Sequence, residues 1–136
     1  MAELAVTKTD PLTVRGWATK YAVDEDGQRF DREWIEEASA DYVARGAIVR
    51  INHGSAPVGR VISARYDDDG ILVDIEVIDN ATRIAVMSGL VRGLGLAIKK
   101  YRVDMTDAEA PNGVINNGTV AYLSLLDEPV LYKGEE

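Results

Sequence analysis

Cysteine is absent from this chain, which removes both a disulfide framework and a thiolate metal site. Histidine occurs once, as His53, so a metal would have one imidazole and otherwise only carboxylates, a donor set closer to Ca²⁺ or Mg²⁺ than to zinc. No metal and no cofactor is expected. Basic residues are outnumbered, 15 against 23 acidic, and the formal charge of −8 argues against a nucleic-acid surface and against docking to an anionic membrane. No apolar run approaches the ~20 residues that span a bilayer. The opening residues, Met1–Lys8, lack the basic and apolar regions of a signal peptide, which points to a soluble protein made in a cytoplasm. Internal repeats, low-complexity tracts and Pro/Ser-rich linkers are missing too. What remains is 136 residues with 46% hydrophobic content, enough for one domain, 1–136, around one core. Residues 1–10 and 131–136 lack its patterning and read as arms that order on a partner.

The periodicity alternates between two and 3.6 residues. Leu12–Val23 reads as a strand, stopped by a turn at 24–27. Asp31 caps a helix running to about Arg45, with Trp34, Ile35, Ala38, Tyr42 and Val43 on its buried face and Gly46 as its stop. Strands follow at Ala47–Ile51, Val58–Tyr66 and Ile71–Ile78, the last two a hairpin around Asp67–Gly70. In Ile71–Ile78, alternation sends Ile71, Val73, Ile75 and Val77 to one face and Asp74 and Glu76 to the wet one. Asn80 caps a shorter helix with Ala81, Ile84, Ala85 and Val91 inward and Gly89 near its end. Gly93–Val103 is a strand, 104–118 an exposed loop or second hairpin, and Val120–Leu126 the last strand. The fold class is therefore mainly β with two helices (α+β), a small closed or nearly closed β-barrel, with an open α+β sheet as the competitor.

Four segments resemble the prohead (capsid-maturation) proteases of tailed phages, a family that shares its fold with the herpesvirus assemblins. They are Arg15–Ala18 (RGWA), Asn52–His53 followed by Pro57–Gly59, Gly89–Ile98 (GLVRGLGLAI) and Leu123–Pro129 (LSLLDEP). Together they span about residues 12 to 130, so the resemblance implies the family's barrel over nearly the whole chain. It also implies a site. Serine-protease chemistry needs a hydroxyl nucleophile, an imidazole to take its proton and a group that orients the imidazole. His53 matches the base. The nucleophile position falls on Gly95, and the position often held by an acidic residue falls on Tyr122. A triad without its nucleophile loses about 10⁶-fold in turnover.

No serine or threonine lies between Gly89 and Tyr101 to replace it. Ser55 reads as a solvated loop residue, Ser124 as a core hydroxyl bonded to backbone, and Ser63 as a strand residue with no base. Asp67–Asp69 lacks the spacing of a calcium loop, and Gly93–Gly95 lacks the Lys-Ser/Thr of a phosphate loop. Gly93, Gly95 and Ala97 alternate, leaving one strand face nearly bare; with Trp17 they are the candidate groove, filled by Trp17 or Tyr122 or by a partner segment. The resulting expectation is a non-proteolytic phage head protein on an inactivated protease fold. It would bind the major capsid protein in many symmetric copies, as a decoration, cementing or assembly component of the virion head, and be made in the host bacterial cytoplasm. The alternative is a capsid-maturation serine protease, active or carrying an introduced Ser→Gly change.

Overall fold

The structure, a computed structural model, describes residues 4–8 and 11–132. Ten strands and two helices follow in order: β1 (Ala5–Thr7), β2 (Thr13–Lys20), β3 (Arg29–Phe30), α1 (Arg32–Ala44), β4 (Ile48–Ile51), β5 (Gly59–Tyr66), β6 (Gly70–Val77), α2 (Asn80–Met87), β7 (Gly93–Lys99), β8 (Val103–Asp104), β9 (Val114–Ile115) and β10 (Thr119–Leu126). Seven strands form one sheet in the order β1-β2-β6-β5-β4-β10-β7, and β3-β9-β8 form a small second sheet, in which β9 comes from the stretch expected as loop or hairpin.

The large sheet is a curled half-barrel. Its curl has a local cause: the ladder skips a residue between Trp17 and Thr19, between Val61 and Ser63, and between Val120 and Tyr122. Such bulges bend and over-twist a strand. β2 and β7 then face each other without sharing a ladder, and a side chain at Gly16 would meet Leu94 at 3.0 Å. Alternation fills the inside as the sequence implies, with Ile71, Val73, Ile75 and Val77 in the core and Asp74 and Glu76 facing outward.

α1 packs against β10. Asp31 accepts the Trp34 N–H at 3.1 Å as N-cap, and Ile35, Ala38, Ser39 and Tyr42 are buried. Val43, expected inside, is exposed, because the helix turns Ser39 inward in its place. The Tyr42 hydroxyl donates to the Ile48 carbonyl and accepts the Leu123 N–H, tying helix, β4 and β10 together, and burial pushes its phenol up to about 12.

The second helix departs further from its expected register. Its cap is Asp79, one residue earlier than Asn80, accepting from the Thr82 N–H and Oγ1. Thr82, Val86 and Val91 point inward and Ala85 is half-buried, while Ala81 and Ile84 face out. Apolar residues surround this short helix, so its composition does not choose a face; the sheet does.

Parts of both expected arms are built into the body. Ala5–Thr7 pair with Thr13–Arg15, and Tyr132 is buried with its hydroxyl accepting the Lys20 N–H at 3.1 Å. Met1–Glu3, Thr9–Asp10 and Lys133–Glu136 lie outside the described residues. Among the described residues no helix is long and apolar enough to cross a membrane.

Candidate functional site

The candidate site lies on the outer face of β4, β10 and β7. β4 ends at Ile51, and the chain reverses through Asn52 and His53, whose φ angles are +48° and +56°. Asparagine and histidine are both enriched in the left-handed region, which still carries local strain for any residue but glycine. The turn is held against that strain by its hydrogen bonds. Gly54 N–H donates to Ile51 O at 2.8 Å, Asn52 N–H to Leu125 O at 2.7 Å and His53 N–H to Ser124 Oγ at 2.9 Å. Asn52 Oδ1 in turn accepts the Asp127 N–H at 3.1 Å.

This fastening sets the exposed His53 ring beside Tyr122. Nδ1 lies 3.1 Å from Tyr122 Oη, with the rings in edge contact. The Arg50 guanidinium stacks on the Tyr122 ring at 4.4 Å from its centroid, and its Nη1 reaches Gly54 O at 3.5 Å. Arg50 Nε is buried with no hydrogen-bond partner among the described residues. Arg50 is absent from the sequence-derived site, although a lone cation inside the apolar run 47–51 was the signal available.

Register places the remaining positions. Tyr122, Ser124 and Leu126 of β10 pair with Ala97, Gly95 and Gly93 of β7. Gly95 is therefore the cross-strand neighbour of Ser124, which holds the His53 backbone. Ser124 is fully buried and its hydroxyl donates to Leu125 O at 3.3 Å, matching the core role expected of it. Ser55 is exposed. Ser63 lies on another part of the sheet and donates to Asp74 at 2.6 Å.

The two glycines of the bare strand face differ. A Cβ at Gly93 would sit 2.4 Å from the Glu128 carbonyl oxygen, so the chain's own segment after β10 covers that end. A Cβ at Gly95 would meet only the Leu126 side chain, at 3.1 Å, and its φ is not in the left-handed region. Neither Trp17 nor Tyr122 is what meets these positions. Trp17 stands on β2 opposite Leu72, with the Lys20 ammonium 5.8 Å from its ring centroid. A cleft of about 230 Å³ does open beside Gly95, between Leu94–Leu96 of β7 and Ala18–Lys20 of β2, closed by Phe30 and Tyr132. Trp17 does not line it. Asp24 does, and burial raises its carboxyl pKa against the pull of the Gln28 and Asp26 N–H groups.

Chemically, the arrangement is an imidazole with an oriented Nδ1, a buried hydroxyl committed to structure, and an adjacent strand position with no side chain. The sequence matches no protein-family model. Among solved structures the chain is similar to the bacteriophage T4 capsid assembly protease gp21, with a TM-score of 0.64 and 13% identity over 85% of this chain and 81% of that one. The fold is thus that of a phage prohead protease-like protein.

Proposed function

We propose that this chain serves in phage head assembly by holding a segment of another head protein beside β7 without cutting it, with the major capsid protein as that partner. The observation that carries the reading is Gly95, which lies next to Ser124 on the face shared by His53 and Tyr122 and offers no hydroxyl. In the tautomer whose Nδ1–H donates to Tyr122, Nε2 of His53 can accept a proton, but no nucleophile is placed to give one. Ser124 cannot substitute, since its oxygen is buried and already bonded. Loss of the nucleophile removes about 10⁶-fold of turnover, while a groove formed by strand backbone keeps its capacity to bind. The fold likeness to a capsid assembly protease supports a head or prohead setting.

A second reading, a maturation protease inactivated at one position, is favoured by the retained His53–Tyr122 contact. The two separate in one experiment. The chain is mixed with unprocessed major capsid protein of the same phage, association is followed by co-sedimentation, and masses are read before and after. The binding reading expects association with every mass unchanged. Cleavage by the wild-type chain, or no association, sinks it. In the G95S variant Leu126 must yield by a few tenths of an ångström to admit the new Cβ, which its flexible side-chain end permits. Cleavage gained by that variant would establish a protease frame lacking only its nucleophile. In mature particles, intact chain at a fixed ratio to the capsid protein would mark a resident shell component, and its absence an assembly factor that departs.

A further inference from the structure

Charge is distributed unevenly along the chain. Residues 80–103 hold five cations and no acid, within a chain of net charge −8. Before residue 80, Arg15, Arg29, Arg32, Arg45, Arg60 and Arg65 each lie within ion-pair distance of a carboxylate. Lys99, Lys100 and Arg102, in the turn after β7, have no such partner among the described residues, and all three are exposed. The nearest acid along the chain, Asp104, is engaged by Thr106, whose N–H and hydroxyl donate to its Oδ1 at 2.9 and 2.7 Å. The turn is also held in place. Asn117 Oδ1 accepts the Arg102 N–H at 2.8 Å, its Nδ2 donates to Arg102 O at 2.9 Å, and Lys100 takes a φ of +57°. Cations fixed so close along the chain repel one another, and an anion placed among them relieves the repulsion.

The same corner carries an open strand edge. β8 is the last strand of the small sheet and pairs only with β9 among the described residues. Tyr101, Val103 and Met105 are exposed at 46, 37 and 62%, at the two-residue spacing of one strand face, and Val103 and Met105 both lean over Gly113. Open edges are commonly blunted by lysine or by shortness, which keeps stray strands away. An edge that is only guarded has no use for three exposed apolar side chains; cations beside them select what docks. We propose that this corner docks an extended acidic segment of a partner protein, added along the β8 edge, with its carboxylates on Lys99, Lys100 and Arg102 and its apolar side chains on Tyr101, Val103 and Met105. Nucleic acid is the poorer occupant. Three cations neutralise few phosphates, the acidic remainder of the chain repels a long polyanion, and Val103 and Met105 offer a phosphate backbone nothing. The corner lies past the end of β7 remote from Gly93, and it docks its segment whether or not another is held beside Gly95.

The test is fluorescence anisotropy of the full chain with a labelled decapeptide alternating glutamate and valine, at low salt. Saturable binding is expected, with the lysine–valine counterpart weaker by about 10-fold or more. Lys100→Glu and Arg102→Glu should each weaken binding of the acidic peptide about 10-fold, and Tyr101→Ala about 5-fold. The far-UV circular dichroism spectrum should not change, because these side chains are exposed. Lys8→Glu makes the same change in net charge at an exposed residue just past β1 and should alter binding by less than about 2-fold. An oligothymidylate of equal charge should bind more weakly than the acidic peptide. Absence of binding by the acidic peptide, an equal loss in Lys8→Glu, or binding of oligothymidylate as tight as that of the peptide overturns the proposal.

Discussion

The outer face of the sheet is built in two ways on its two sides. Along β2, β6 and β5, polar groups close on one another: Arg15 donates to both carboxylate oxygens of Asp74, at 2.8 and 3.1 Å, and Ser63 donates to the same carboxylate at 2.6 Å. Along β4, β10 and β7 the closure is incomplete, although His53 meets Tyr122 and Asn52 accepts the Asp127 N–H. Arg50 has a buried Nε with no partner, His53 is held in a left-handed conformation, and Gly95 contributes no side chain at all. A satisfied cluster serves the fold. An unsatisfied buried donor and left-handed backbone, tolerated together on a turn fastened at several points, set this side apart from the closed one.

Substitutions on each side test that contrast. The largest effect is expected within β7 itself. Gly93→Ala forces a methyl against the Glu128 carbonyl and should cost about 1–3 kcal/mol in urea unfolding. Gly95→Ala meets only a movable leucine end at an ordinary φ and should change stability by no more than about 1 kcal/mol. Equal costs at the two glycines would mean that Gly95 is there for packing and would remove it from the site.

A smaller effect is expected from Asp74→Asn on the closed side. The Arg15 hydrogen bond, with the Ser63 hydrogen bond and the charges of Arg15 and Arg65, holds the Asp74 carboxyl below the usual carboxylate range. A depressed acid stabilises the fold above its unfolded pKa and loses that contribution as pH falls through its folded one. The stability gap between wild type and Asp74→Asn should thus be full at neutral pH and close progressively below about pH 4. A gap that is flat with pH would show the network to be inert.

The smallest effect belongs to the open side. Arg50→Met gives up stacking on Tyr122 but also removes an orphaned buried donor, and the two should nearly cancel, leaving less than about 1 kcal/mol. Loss of partner association in that variant with stability intact would sharpen the contrast. A large loss of stability would instead place Arg50 among the structural residues.

Alternation in β6, the Asp31 cap and the glycine-stopped helix α1 were legible because each rests on neighbours a few residues apart. His53, Gly95 and Tyr122 were legible as positions, through the order and spacing of short segments. The structure brings His53 against Tyr122 and sets Gly95 beside Ser124. Other features were not legible, for a shared reason. The outward turn of Ile84, the orphaned Arg50 and the covering of Gly93 by Glu128 each depend on residues distant in the chain or on which face a neighbour takes. Trp17 was expected in the groove as a side chain to fill the bare face of Gly93, Gly95 and Ala97, but the cleft beside Gly95 is lined by Ala18–Lys20 and not by Trp17, and the ladder skips Ala18 immediately after it.

By itself, then, the sequence determined most of the long elements, the inner face of the sheet, the net acidic charge and the bare position at Gly95, since periodicity, capping and side-chain identity are local properties. Only the tertiary structure decided how far the sheet curls, which side of α2 stays bare and which polar groups find partners, because bulges, helix rotation and hydrogen-bond closure are settled by contacts between segments the chain brings together from far apart.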